Sequence, residues 1–238
     1  MGSLIDNGKL SKSGVGVLDK SVWILSFLSE VGRASLAEVV EGTKLPRPTA
    51  HRLISALESH HLVVREGKRY ALGARLVGWG ARALPARDLV GASRPALAKL
   101  RDETGESTQL YVREGGHRVC VASAERATGL RDTVHVGAVM PLALGSAGKV
   151  LLAYSDDGGD YREAAELHQI KERGWAESVA ERETGVASVS APVFGRDGEL
   201  LAAVSASGPI SRLGESPGER LAKPVLAAAR EIEAAASE

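Results

Sequence analysis

Apolar positions first fall into a period at Leu18, Val22, Leu25 and Leu28, whose spacings of four, three and three draw one stripe down a helix beginning at Val17. Gly32 ends it. Next comes Ser35-Leu36-Ala37-Glu38, a Ser-x-x-Glu capping box in which each side chain satisfies an orphan backbone N–H. It predicts a short helix from Leu36 to Glu41, closed by Gly42. After Thr43-Lys44-Leu45 a further start lies at Pro46 to Pro48, since a helix tolerates proline without cost in its first turn. Ala50, Leu53, Ile54 and Leu57 then trace the i, i+3, i+4, i+7 face of a third helix. Leu62-Val63-Val64-Arg65 and Arg69-Tyr70-Ala71-Leu72 flank Glu66-Gly67-Lys68 and predict a β-hairpin turning at Gly67. Helix, helix, tight turn, helix and hairpin, in that order, predict a winged helix-turn-helix over residues 17–74.

Helical patterning resumes at 76–84, where Pro85 interrupts it, and again at 89–104, with Pro95 either kinking that helix or starting its second half. This stretch reads as an arm between two domains. Beyond Glu106 the pattern alternates as strands at 108–113 and 119–124 around Gly115-Gly116, with a further strand expected at 134–139. Gly145-Ser146-Ala147-Gly148 opens a helix through Tyr154, and another is expected at 161–173. Residues 186–194 and 200–207 form a hairpin around Arg196-Asp197-Gly198, and an Ala-rich helix at 219–233 closes the chain. The expected organisation is α+β: a flexible tail over 1–16, rich in Gly, Ser, Lys and Asn, then a winged helix at 17–74, a linker helix at 75–87 and an α+β domain at 88–238.

Composition narrows the function classes. The 238 residues fit one or two domains at roughly 150 residues each. No apolar run approaches the roughly 20 residues a bilayer needs, and the first 20 residues lack the order of a signal peptide, so a cytoplasmic chain with no membrane partner is expected. One cysteine, Cys120, excludes an internal disulfide and a cysteine-rich metal site. Net charge is zero, but residues 1–80 carry 11 Lys and Arg against 7 Asp and Glu, while 81–238 carry 19 against 23. A basic N-terminal piece on an acidic remainder suggests that one part meets phosphate.

The third helix is the candidate for that role. With Ala50 at the centre of the buried face, Pro48, Arg52, Ser55 and Ser59 lie opposite, Thr49 and His51 flank it, and Arg47 sits in the first turn. Such a surface suits a DNA major groove: Arg pairs bidentately with guanine, Thr touches phosphate or a thymine methyl, and first-turn N–H groups favour phosphate. Arg65, Lys68 and Arg69 sit where a wing approaches the backbone, and Ser35 opens the preceding helix. A solvated polar face is the alternative reading of the same residues. His51, His60 and His61 have no Cys or acidic set at ligand spacing, so no metal is expected.

These residues also carry a family resemblance. Leu45-Pro46-Arg47-Pro48-Thr49-Ala50-His51-Arg52-Leu53, Tyr70-Ala71-Leu72-Gly73, Pro141-Leu142-Ala143-Leu144-Gly145-Ser146-Ala147-Gly148-Lys149 and Ser205-Ala206-Ser207-Gly208-Pro209-Ile210-Ser211-Arg212 resemble the IclR family of bacterial transcription regulators, collinear over residues 15–235. Leu130-Arg131-Asp132-Thr133-Val134 and Glu181-Arg182-Glu183-Thr184-Gly185-Val186-Ala187-Ser188 are most similar to its actinobacterial branch that controls leucine and other amino-acid biosynthesis genes. The resemblance implies a winged helix-turn-helix, a linker helix and a GAF-like effector-binding domain, in dimers through the N-terminal domains and often tetramers. It places the effector among Leu130, Ser146, Ala147, Ser178, Ser188, Ser205 and Ser207, with Ser188 replacing a common cysteine and Ser178 an acidic residue.

Spacing by itself leaves the pocket open to two readings. Gly145 to Gly148 at a helix start would favour a carboxylate, and Ser205 and Ser207, alternate on a strand, would orient a polar ligand. Equally, the glycines would permit close packing and the serines would cap backbone. The expected partners are an operator in double-stranded DNA, a small effector such as an amino acid or small carboxylate, and a homodimer or homotetramer; no cofactor is expected. A repressor is favoured over an effector-independent DNA binder and over a GAF-like redox enzyme, whose chemistry needs a second cysteine.

Overall fold

Ile24, Leu28, Val39, Ala50, Leu53, Ile54, Leu57, Val63 and Tyr70 close into one buried cluster, which binds together α1 (Gly16–Val31), β1 (Arg33–Ser35), α2 (Leu36–Thr43), α3 (Arg47–Ser59), β2 (Val63–Glu66) and β3 (Arg69–Leu72). α4 (Arg75–Ala83) follows. The computed structural model describes residues 13–83, 89–155 and 164–237; the chain divides into two compact units, Met1–Leu84 and Pro85–Glu238. Most of the expected tail lies outside the described residues, as does Leu84, and Gly16 already belongs to α1.

Three details of the first unit depart from the sequence pattern. Gly42 lies inside α2 and does not end it: an added Cβ there would stand 2.1 Å from the Phe27 ring, so glycine lets α1 and α2 close. The helix stops instead at Lys44, whose φ of 56° turns the chain. The stripe of α1 is also displaced. Ile24 and Leu28 are buried, while Val17, Leu18 and Val22 are exposed. Finally, β1 is a three-residue strand that pairs antiparallel with β3, bringing Ser35 opposite Arg69.

The second unit comprises α5 (Leu89–Thr104), β4 (Ser107–Glu114), β5 (His117–Ala124), β6 (Val139–Pro141), α6 (Ser146–Ala153), α7 (Ala164–Arg173), β7 (Ala176–Val179), β8 (Val186–Phe194), β9 (Leu200–Pro209), α8 (Ile210–Leu213) and α9 (Pro217–Ala236). The sheet is antiparallel, ordered β6-β5-β4-β9-β8-β7. α5 and α9 pack on one face: Thr108 donates from that side to the Leu97 carbonyl at 2.8 Å. α6 and α7 cover the other, where Tyr111, Cys120, Val150, Leu151, Ile170 and Ala203 form a core. Because both faces are covered, β9 is buried almost throughout and shows no polar alternation.

Pro95 sits within one helix that runs from Leu89 to Thr104. The strand expected at 134–139 is absent. Residues 131–138 form no strand: ladder pairing is confined to Val139–Pro141 against the start of β5, and Gly137 and Ala138 bond to the backbone of Cys120. Of the helix expected at 161–173, residues 161–163 lie outside the described residues.

Candidate DNA-reading surface and buried polar pocket

The geometry of α3 follows from how its start is built. Thr43 Oγ donates to the Val39 carbonyl at 2.7 Å, Leu45 is buried in the core, and Pro46 holds the N-cap position. The turn is therefore short, and the helix leaves it with Ala50, Leu53, Ile54 and Leu57 pointing inward. Arg47, Pro48, His51, Arg52, Ser55 and Ser59 are exposed and Thr49 is half-buried. The capping box forms as expected: Ser35 Oγ accepts the Glu38 N–H at 3.3 Å, and Glu38 accepts the Ser35 N–H at 2.7 Å. Such a cap stabilises a helix by about 1 kcal/mol.

The wing divides its basic residues. Arg65 Nε donates to the Gly67 carbonyl at 3.0 Å and Lys68 is exposed at the tip, where Gly67 turns with a φ of 63°. Arg69 is engaged elsewhere. Paired opposite Ser35, it reaches back to the Arg33 carbonyl at 2.9 Å and to Glu38 at 3.1 Å. The Ser35 N–H, its hydroxyl and Arg69 together hold the Glu38 carboxyl below its usual range. Arg69 thus braces the capping box, and Arg65 and Lys68 remain as the wing's outward cations.

The second unit holds a cleft lined by Tyr111, Arg118, Asp132, Arg182 and the start of α6, over a floor of serines. Strand register makes that floor. Ser178, Ser188, Ser207 and Ser107 stand side by side across β7, β8, β9 and β4, and Ser190, Ser205 and Gln109 form the next row. Ser146 Oγ is bonded to the hydroxyls of Ser188 and Ser190, both at 2.7 Å, and Ser207 donates to Gln109 at 3.1 Å. Ser146, Ala147, Ser178, Ser188, Ser205 and Ser207 therefore come together as expected. Leu130 does not: at 70% exposure it lies outside the cleft, on the irregular segment that Asp132 tethers.

The glycines at the start of α6 serve packing and polarity together. A Cβ on Gly148 would stand 2.0 Å from the Leu142 carbonyl oxygen, and one on Gly145 would stand 3.2 Å from the Arg118 guanidinium. The Gly145 N–H donates to Glu181 at 3.2 Å, and Glu181 in turn accepts from Lys149 at 2.5 Å. Burial opposes the Lys149 ammonium, but Glu166 and Glu181 outweigh it and raise its pKa.

Sequence reasoning missed Tyr111, Arg118, Asp132, Arg182, Ser190 and Gln109. Alternation in Ser188-Val189-Ser190 could have signalled Ser190; the charged residues come from separate segments and left no local sign. Cys120 is fully buried and its thiol is pushed up to about 12 by burial, as an inert core residue requires. Among the described residues, no cluster of three His, Cys, Asp or Glu could hold a metal, and no helix is long and apolar enough to cross a membrane.

Comparison with known proteins matches both units. The IclR helix-turn-helix domain matches residues 17–67, and the bacterial transcriptional regulator IclR C-terminal domain matches 81–165 and 162–234. The uncharacterized HTH-type transcriptional regulator RhmR of Escherichia coli (strain K12) is 28% identical over 94% of each chain. The DNA-binding transcriptional repressor YiaJ of the same strain is 30% identical over 83% of this chain and 79% of its own. An IclR homologue from Microbacterium hydrocarbonoxydans, solved with 4-hydroxybenzoate, shares the fold with a TM-score of 0.68 at 20% identity, over 92% of this chain and 98% of that one. These relatives regulate transcription, which sets aside the redox-enzyme alternative. The chain belongs to the IclR family of DNA-binding transcriptional regulators.

Proposed function

We propose that this regulator represses amino-acid biosynthesis genes, leucine biosynthesis foremost, under control of a small effector held in the serine-floored cleft of a GAF-like domain. The observation that carries the DNA half is the outward face of α3, with Arg47, His51, Arg52 and Ser55 exposed above four buried aliphatic residues. Arg52 reads base edges with Pro48, Thr49 and Ser55 beside it, and Arg47 meets phosphate together with Ser35, Arg65 and Lys68. The leucine assignment rests on the likeness of 130–134 and 181–188 to the actinobacterial branch. Genome-wide mapping of bound DNA with and without leucine tests it: occupancy upstream of amino-acid biosynthesis genes should change with leucine, and sites confined to unrelated genes would sink the assignment.

A homodimer fits the same reading, and a tetramer would add a second interface. Val17, Leu18 and Val22 expose apolar surface along α1 that the core does not use. Sedimentation velocity of Val22→Asp should show a shift towards monomer with an unchanged melting curve, since the side chain is exposed; an unaltered assembly would remove α1 from the interface.

A further inference from the structure

Arg118 is a buried cation with no counter-ion among the described residues. The residue is 3% exposed. Its Nη1 donates to the Pro141 and Leu144 carbonyls, each at 2.5 Å, and its Nη2 lies 3.8 Å from the Met140 sulfur. The guanidinium stacks 5.5 Å from the Tyr111 ring centroid, and its Nε has no acceptor. No ion pair among the described residues includes it. A buried charge in that state destabilises the fold unless an anion joins it. Burial lowers the pKa of Arg118, and the neighbouring Arg182 adds to the effect.

That charge faces a second cation already provided with a carboxylate. Arg182 Nη2 donates to both oxygens of Asp132, at 2.7 and 2.8 Å, and Asp132 is buried. The ionised groups lining the cleft are thus two guanidinium ions and one carboxylate. The N-terminus of α6 lies beside them, its first-turn N–H groups lacking intrahelical acceptors. The Glu166 and Glu181 carboxylates are bound to Lys149. The space left open has a volume of only 20 Å³, which holds about one or two waters. A ligand larger than that must displace something.

We propose that Asp132 is a built-in stand-in for a ligand carboxylate. A small carboxylate docks on Arg118 and takes Arg182 from Asp132, which frees residues 129–133 from the cleft. The exchange replaces one Arg–carboxylate pair by another of the same kind, so the gain comes from the charge of Arg118. It rests on the reading of this cleft as the effector site, and it adds which residue selects for the anion and which segment reports its arrival.

Lactate and its neutral isostere lactamide test this on the full-length protein, by thermal shift and by hydrogen exchange of the 129–133 amides. Lactate should raise the melting temperature and speed exchange in that segment, and lactamide should do neither. Asp132→Asn, which keeps the shape and removes the competing charge, should bind lactate at least tenfold more tightly than the parent. Arg118→Gln should lose the preference for lactate over lactamide; if that variant does not fold, Asp132→Asn decides alone. Equal binding of lactamide, unchanged lactate affinity in Asp132→Asn, lactate bound by neither protein, or unchanged exchange at 129–133 would each overturn the exchange. Operator affinity measured on the same samples separates the two readings: a response to neutral ligands but not to lactate keeps the cleft as the effector site and rejects the anion exchange alone.

Discussion

An Arg52→Ala variant will bind its operator about 5- to 150-fold more weakly than the parent, the 1–3 kcal/mol that a bidentate base contact supplies. Arg52 is exposed at the middle of the outward face of α3, and no hydrogen bond or ion pair with another described residue occupies it. Its removal should therefore leave the melting curve within about 0.5 kcal/mol of the parent's, the range for surface changes that break nothing. The loss should be specific in kind. Competition assays should show relaxed preference at one base pair, whereas Lys68→Ala, which removes a wing-tip cation, should weaken all sequences alike and reduce the salt slope by about 1. Fluorescence anisotropy at several salt concentrations separates the two. Unchanged affinity and unchanged sequence preference in Arg52→Ala would remove this residue from the readout.

The largest stability effect should come from Arg212→Ala in the second unit. Arg212 lies in α8, a single turn after β9, and reaches back to Glu106 with two bonds: Nε to Oε1 at 2.8 Å and Nη2 to Oε2 at 2.6 Å. Glu106 is completely buried. Gly208 belongs to this arrangement, since a Cβ there would stand 2.2 Å from a Glu106 oxygen. Taking away the guanidinium leaves a buried carboxylate without its counter-charge, which costs about 3–5 kcal/mol. At about 2–4 °C per kcal/mol for a unit of this size, the transition of that unit should fall by roughly 6–20 °C. The double variant Glu106→Leu with Arg212→Met should recover much of the loss, because a buried pair replaced by apolar groups of similar volume is often neutral. If Arg212→Ala melts as the parent does, the pair is not holding β4 to the end of β9.

The same contact shows which parts of the molecule the sequence could announce. Ser205 to Arg212 stood out as a family motif, yet the reason for its glycine and arginine is a carboxylate about a hundred residues earlier in the chain. Local signals behaved differently. The capping box at Ser35, the prolines opening α3 and the hairpin around Gly67 each act within four or five residues, and each formed where the pattern placed it. Short strands outside a tight hairpin carried no such signal. β1 and β7, three and four residues long, hold their conformation only through β3 and β8.

The amino-acid order by itself settled the winged helix, the inward and outward sides of α3 and the mixed composition of the second unit, because helical period, caps and turns are properties of neighbouring residues. Tertiary structure decided the rest. Pairing across the wing turned Arg69 onto Glu38, and packing between α1 and α2 moved the buried side of the first helix to Ile24 and Leu28. Most of all, sheet register set serines from four strands in a single row, while Arg118, Asp132 and Arg182 converged on them from a strand and two connecting segments. Charges so far apart in the chain meet only when the fold has closed, and no spacing rule along one segment can report where they stand.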